Sequence, residues 1–254
     1  MIKNNINVGI IGLGVGKYHL KAFLNNKHSQ VLAICDFDKK KLSKFSNYKI
    51  KKYLDPKELI LDDSINVVSI ASYDHYHFDQ IKLSLQNKKH VFVEKPICLN
   101  NLQLNEIKKI LKKNKNLIFS SNLNLRTENY LIKLKTDIKN KNYGNIYFIQ
   151  AAYLWGRVNK INKTWRNLSN NYSLIYGTGV HIIDTVTWLL NKFPKSVRVN
   201  GSKNTPSHFN FNLHDFITIT MMFNDGLIVA INLHAMSSHP HFHSLEIYGE
   251  KKSM

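Results

Sequence analysis

Val91-Phe92-Val93-Glu94-Lys95-Pro96 sets a lysine at the end of a short apolar run. Such a run reads as a buried strand of a parallel sheet. Open parallel sheets collect ligands at the carboxyl ends of their strands, which puts Lys95 where chemistry is done. Pro96 fixes its own φ and lacks a backbone donor, so the chain turns there and holds the lysine in place. Taken alone, Glu94-Lys95 reads as well as a solvated strand end. Upstream, Gly12, Gly14 and Gly16, with Val15 between the last two, follow the apolar run that starts at Val8. Glycines there let the backbone approach a pyrophosphate, and the free amides of the next helix can hold it. The spacing is one residue tighter than the usual G-x-G-x-x-G. A second apolar run, Gln30 to Cys35, ends on Asp36. That is the place for an acid that receives the adenosine ribose hydroxyls, and its charge repels a 2′-phosphate, favouring NAD over NADP. Asp36 could instead cap the next helix, but Asp38 can fill that role itself.

The elements that must position these residues alternate. Leu20, Phe23 and Leu24 mark a helix after the glycines; Ile50 to Tyr53 is a weak strand; Pro56 to Leu61 is a helix with proline in its first turn. Asn66 to Ala71 is a buried strand, and Ser72-Tyr73-Asp74-His75-Tyr76-His77 leads into a helix to about Asn87. After the Lys95 strand, Asn100 and Gln103 form a capping-box pattern, and Leu117 to Ser121 closes a sixth strand. Alternating β and α elements over this length require right-handed crossovers and a doubly wound parallel sheet. Beyond it the pattern changes to a helix from Tyr130 to Lys141 and a long strand from Ile146. Another helix contains His181, Asp184 or Thr185, and Trp188 on one face. Three strands follow, at Ser196–Gly201, Phe216–Phe223 and Leu227–His234, with a hairpin turn at Asn224-Asp225-Gly226.

The chain has 254 residues, room for one large domain or two small ones, and 43% of them are hydrophobic, enough for a real core. Cys35 and Cys98 are its only cysteines and fit neither a disulfide framework nor a zinc site, which points to a reducing, cytoplasmic setting. No apolar run has the length of a signal peptide core or a membrane span. The formal charge of +19 invites a nucleic-acid reading, but only Arg126, Arg157, Arg166 and Arg198 are arginines, and phosphate recognition favours arginine forks. The lysines are scattered among asparagines and isoleucines, so no nucleic-acid partner is expected. His239, His241 and His243 alternate as strand ligands would, but lack an acidic or cysteine companion and include Pro240, so no metal is expected.

The glycine turn followed by His19, Cys35-Asp36-Phe37-Asp38, the run from Ser72 to His77 and Glu94-Lys95-Pro96 together resemble the Gfo/Idh/MocA oxidoreductases. This family includes inositol dehydrogenases, glucose–fructose oxidoreductase and sugar-nucleotide dehydrogenases. Asn122 to Arg126, Trp165-Arg166 and Gly177-Thr178-Gly179-Val180-His181-Ile182-Ile183-Asp184 resemble its second half. The resemblance implies an α/β chain with two domains. Residues 1–121 would be a doubly wound Rossmann domain binding NAD through Gly12, Gly14, Val15, Gly16, Asp36, Ser72, His77, Glu94, Lys95 and Pro96. Residues 122–254 would be an α+β domain with a largely antiparallel open sheet, serving substrate binding and self-association.

The implied reaction transfers a hydride between the nicotinamide cofactor and a secondary hydroxyl or ketone of a sugar, cyclitol or sugar nucleotide. Lys95 and His181 would act at that hydroxyl, with Arg126, Trp165, Arg166 and Asp184 around the substrate. A lysine beside a cationic or apolar wall can have its pKa lowered, and a histidine titrates near neutrality unaided. One departure stands out. Many family members carry an aspartate four residues before this histidine, where this chain has Gly177. Asp184 or Tyr176 could orient the proton relay instead, His181 could work alone, the reaction could be altered, or the chain could be an inactive paralogue with a binding or regulatory role. His243 to Gly249 begins one more strand, and the family usually continues for several further strands beyond such a strand end, so either a truncated form or an incomplete second sheet is expected.

Overall fold

The computed structural model describes residues 6–156, 161, 166, 172–204 and 214–254. Two compact units divide between Asn122 and Leu123.

In the first unit the runs rich in β-branched residues become β1 (Ile6–Ile11), β2 (Ser29–Cys35), β4 (Val67–Ile70) and β5 (His90–Val93), and two short segments without such residues add β3 (Lys51–Tyr53) and β6 (Phe119–Ser121). They form one parallel sheet in the order β3-β2-β1-β4-β5-β6. Successive side chains on a strand point to opposite faces. Ile10 therefore joins Val8, Leu20, Val31 and Ile34 in one core, while Ile11 joins Ala33, Leu59, Ile70, Ile81, Val91 and Val93 in the other. Helices α1 (Gly16–Leu24) and α2 (Lys39–Ser43) serve the first face; α3 (Pro56–Leu61), α4 (His77–Gln86) and α5 (Asn101–Lys113) serve the second. The capping pattern at α5 forms with a shift. Asn100 accepts the Gln103 N–H at 2.9 Å, but the Gln103 side chain takes the N–H of Leu99, not that of Asn100.

Register aligns the ends of the central strands. Cys35, Ile11, Ile70, Val93 and Ser121 lie in one row across the sheet. The residues just past that row share the carboxyl edge and are held there by main-chain bonds: Gly12 N–H to Cys35 O, Ala71 N–H to Ile11 O, Glu94 N–H to Ile70 O, Asn122 N–H to Val93 O. Strand order reverses between β1 and β4, one half of the sheet being wound outward from each, which opens a crevice at that edge.

The second unit contains α6 (Asn129–Lys139), β7 (Ile146–Leu154), a π-helical turn (Ile175–Gly179) running into α7 (Val180–Leu190), β8 (Ser196–Ser202), β9 (Phe216–Met222), β10 (Ile228–His234) and β11 (Phe242–Gly249). Its sheet has the order β11-β7-β10-β9-β8, antiparallel except for β7 beside β10. The α7 segment lies between β7 and β10 in sequence, which is what a parallel neighbour requires. One sheet face packs Ile149, Ala151, Val229, Ile231 and Leu233 against Leu131 and Leu134 of α6 and Ile182, Val186 and Leu189 of α7. Among the described residues no helix is long and apolar enough to cross a membrane.

Candidate active site

At the carboxyl edge the three glycines do three different things. Gly12 has φ +86°, and a Cβ there would lie 2.4 Å from the Ala71 carbonyl oxygen. A Cβ on Gly16 would press on Ala71 and Ile10 at 3.2 and 3.3 Å, so glycine lets α1 sit close to the sheet. Around Gly14 a Cβ would meet nothing within 4 Å. The turn thus leaves backbone open to a ligand at Gly14, beside the start of α1, whose N-cap Val15 supplies no side-chain cap. Bare N–H groups at a helix N-terminus suit a diphosphate, and the site fits a dinucleotide.

Asp36 ties this turn down. Its Oδ2 accepts the Leu13 N–H at 2.8 Å, and its Oδ1 accepts the Asp38 N–H at 2.9 Å. Asp38 caps α2 through the Lys40 N–H, as its position suggests. Lys41, not singled out by its place among the many lysines, brings its Nζ to 3.2 Å from Asp36 Oδ2. Phe37 is 67% exposed and meets the Tyr73 ring edge-on at 5.9 Å, an apolar pair beside the acid. Cys35, buried beneath, has its thiol pushed up to about 12 by burial and by Asp36, and is no nucleophile.

At the end of β5, Glu94 is not a solvated strand end. Its Oε1 accepts the Asn122 side-chain amide at 2.7 Å and stands 3.0 Å from His19 Nε2; the other ring nitrogen of His19 is 2.9 Å from Ser69 Oγ. Burial works to raise the Glu94 pKa, but the bonds from His19 and Asn122 and the charge on Lys95 outweigh it and hold the carboxyl below its ordinary value. Lys95 follows, half-buried, and its peptide bond to Pro96 is cis. Ser72 turns its hydroxyl to Gln80 Oε1 at 2.7 Å.

His77, expected near the nicotinamide or else as a helix-capping or core histidine, is wholly buried, with ring nitrogens 2.7 Å from the Pro96 carbonyl and 3.1 Å from that of Ser72. Its work is to pin the loops after β4 and β5 together, so it shapes the edge on which Lys95 stands.

In the second unit His181 occupies the first turn of α7, its ring stacked on Tyr153 at 6.1 Å and 15°. Tyr153 also meets His243, its ladder partner, at 4.1 Å and His241 at 5.1 Å. Burial, and then the neighbouring His241, press the His243 pKa down. His239 stands apart with Nδ1 near its own neighbour's carbonyl, and no metal-binding group of three such side chains forms among the described residues. Arg126 and Asp184 come together as a two-pronged ion pair, Nε to Oδ2 at 2.8 Å and Nη2 to Oδ1 at 2.5 Å. The Arg126 guanidinium and the Lys135 ammonium both lie over Trp188, at 6.0 and 4.2 Å. Arg166 sits over the Tyr172 ring at 5.9 Å. Trp165, expected beside it at the substrate, and Arg157 lie outside the described residues.

A carboxyl-edge dinucleotide cradle and a second unit built around a histidine helix have counterparts among known proteins. Residues 6–122 match the family described as "Oxidoreductase family, NAD-binding Rossmann fold", and residues 131–254 match the "GFO/IDH/MocA C-terminal domain". Inositol 2-dehydrogenase of Salmonella typhimurium is 25% identical over 252 residues, covering 97% of this chain and 72% of that protein. An uncharacterized oxidoreductase of Bacillus subtilis is 23% identical over 252 residues, covering 98% of this chain and 72% of that protein. Among solved structures, myo-inositol 2-dehydrogenase from Lactobacillus plantarum aligns with a TM-score of 0.90 at 20% identity, covering 99% of this chain and 76% of that one. Scyllo-inositol dehydrogenase from Lactobacillus casei, solved with NAD(H) and scyllo-inositol, gives 0.88 at 21%, with the same coverage. The two family matches together take in both units, and the chain belongs to the Gfo/Idh/MocA oxidoreductases, with an NAD-binding Rossmann domain.

Proposed function

We propose that the chain is a dehydrogenase that uses NAD to oxidise, or NADH to restore, a secondary hydroxyl of a cyclitol or closely related sugar. The reading rests on one observation above the rest: Lys95 is delivered to the same sheet edge as the open glycine turn, behind a Glu94 that His19 and Asn122 hold in place. The names of the relatives supply the cyclitol. NAD, when bound, supplies the hydride acceptor. The residues of the chain do the rest. The Gly14 backbone and the α1 N-terminus bind the diphosphate, Asp36 receives the ribose, and the exposed Phe37–Tyr73 pair offers the adenine an apolar wall. The Lys95 ammonium binds the reacting oxygen and stabilises the negative charge that grows there, and His181 takes up the hydroxyl proton.

NAD remains the favoured cofactor over NADP, although Lys41 offsets part of the repulsion that Asp36 exerts on a 2′-phosphate. Self-association through the outer face of the second unit's sheet and a cytoplasmic location complete the reading. A second reading, a paralogue that binds NAD without turning over a polyol, draws on Gly177, which leaves His181 without a carboxylate one turn before it.

The test is NADH formation from NAD with myo-inositol, scyllo-inositol and a panel of sugars, alongside Lys95→Ala. Turnover by the native chain, abolished in the variant while NADH affinity stays within about threefold, supports the dehydrogenase. Tight NADH binding with no turnover of any polyol selects the second reading.

A further inference from the structure

Asp36 is buried and already engaged by its own chain. Its side chain is 2% exposed, and its two oxygens accept four contacts. Leu13 N–H at 2.8 Å and Lys41 Nζ at 3.2 Å meet Oδ2; Asp38 N–H at 2.9 Å and Lys41 Nζ at 3.4 Å meet Oδ1. An ionised carboxylate offers about four lone-pair sites, so this acid is filled before any ligand arrives. The two backbone bonds are fixtures of the fold, one tying down the glycine turn and the other the start of α2. The Lys41 ammonium is the partner that can move. It rides on a flexible stem, its side chain is 32% exposed, and at least one of its three N–H groups is left over by Asp36. Lys41 also lies over the Phe37 ring, 5.2 Å from its centre, and Phe37 meets Tyr73 edge-on. The cation thus touches both the acid at the end of β2 and the exposed aromatic pair assigned to the adenine.

An adenosine ribose presents its 2′ oxygen beside an acid in this position. Where the acid stands alone, a 2′-phosphate meets a bare negative charge and is refused. Here it meets an ammonium first. A phosphate monoester carries a charge of about −1.5 to −2 at neutral pH and three strong acceptor oxygens, and a lysine binds it as a point charge without demanding one geometry. We propose that Lys41 decides nucleotide choice in this chain: its ammonium receives the 2′-phosphate of NADP, so the site takes NADP as well as NAD. With NAD, Lys41 swings aside and the ribose hydroxyls take its place on Asp36. With NADP, Lys41 stays on Asp36 and turns its remaining N–H to the phosphate. The proposal rests on the reading of the glycine turn and Asp36 as a dinucleotide site, and is independent of which alcohol, if any, is oxidised.

The test measures NADH and NADPH binding to the full chain without substrate, by nucleotide fluorescence at low and high salt. In the native chain the NADPH dissociation constant lies within about tenfold of that for NADH, and it rises more steeply with salt, because one more exposed ion pair is screened. Lys41→Met keeps the apolar stem and removes the charge; it raises the ratio of the NADPH to the NADH constant about fivefold or more. Lys41→Arg keeps the charge and holds the ratio within about threefold of the native value or below it. A lysine that only braced Asp36 would, on becoming methionine, lower Tm and weaken both nucleotides alike. A ratio that moves less than about fivefold in Lys41→Met, or that rises as far in Lys41→Arg, therefore overturns the proposal, as does a native chain that refuses NADPH beyond about tenfold. Binding of neither nucleotide overturns it together with the dinucleotide site. Binding without turnover of any polyol removes only the dehydrogenase reading, and the ratio still decides the role of Lys41.

Discussion

Arg126 closes on Asp184 as a fork, two N–H groups meeting two carboxylate oxygens at 2.8 and 2.5 Å. The contact joins the short 3₁₀ segment Asn124–Thr127 to the second turn of α7, so it sets how α7 lies on the chain that precedes α6. The pair is partly exposed, 41% on the arginine side, and its worth is correspondingly modest. Arg126→Lys keeps the charge and loses the fork. It is expected to cost about 1 kcal/mol, and a double-mutant cycle of Arg126→Ala with Asp184→Ala should return a coupling of about 0.5–1 kcal/mol by chemical denaturation. A coupling near zero would make the fork ornamental.

The glycine turn separates stability from binding. Gly14→Ala adds a methyl where nothing stands within 4 Å. It should leave Tm nearly unchanged and weaken NADH about tenfold or more, read by quenching or enhancement of nucleotide fluorescence. Gly12→Ala must hold a positive φ and push a methyl into the Ala71 carbonyl. It should cost about 3 kcal/mol or more of folding free energy, whatever it does to the nucleotide.

His77 should behave as a core residue. His77→Phe leaves the Pro96 and Ser72 carbonyls without their buried partner. A loss of about 2–3 kcal/mol is expected in urea denaturation. NADH affinity should fall far less than in Gly14→Ala, because the ring makes no contact of its own.

Acid should weaken the fold in two windows. His243 has its pKa lowered by burial, so it stays neutral in the fold while the unfolded chain takes up its proton below the ordinary value of 6.5. Its effect is stability lost as pH falls below 6.5, and His243→Gln should flatten that decline. Glu94 is also depressed, from an ordinary value of 4.5. Its stabilisation is complete above 4.5 and is lost as pH falls through its lower folded value, which Glu94→Gln should remove. Stability measured by denaturant midpoint from pH 7.5 to pH 3.5 separates the two.

Much of this was readable from residue order. β-branched runs announced β1, β2, β4 and β5, and glycines before an acid-terminated strand announced the cradle, because those signals are local. The roles of His19 and His77 were not local. His19 acquires its function from Glu94, and His77 from Pro96, partners that only the sheet brings near. At the level of spacing, a histidine that reaches a ligand and one that braces two loops look the same. Lys41 was hidden by a surplus of lysines, in which one more cation carries no signal. Asp184 was legible as a residue of the α7 face, but its attachment to Arg126 needed coordinates.

The parallel pairing of β7 and β10 has a consequence for how the chain is made. β7 bonds only to β10 and β11, so Ile149 waits for Val229 before it has a neighbour on that side and for Ile247 on the other. On the ribosome, β7 emerges early in the second unit and then travels as an apolar ribbon with both edges open. The first unit, whose strands find partners sooner, can fold behind it. The vulnerable interval in the life of this protein is therefore the time between synthesis of residue 154 and residue 247, when chaperone capture or a pause in translation would matter most.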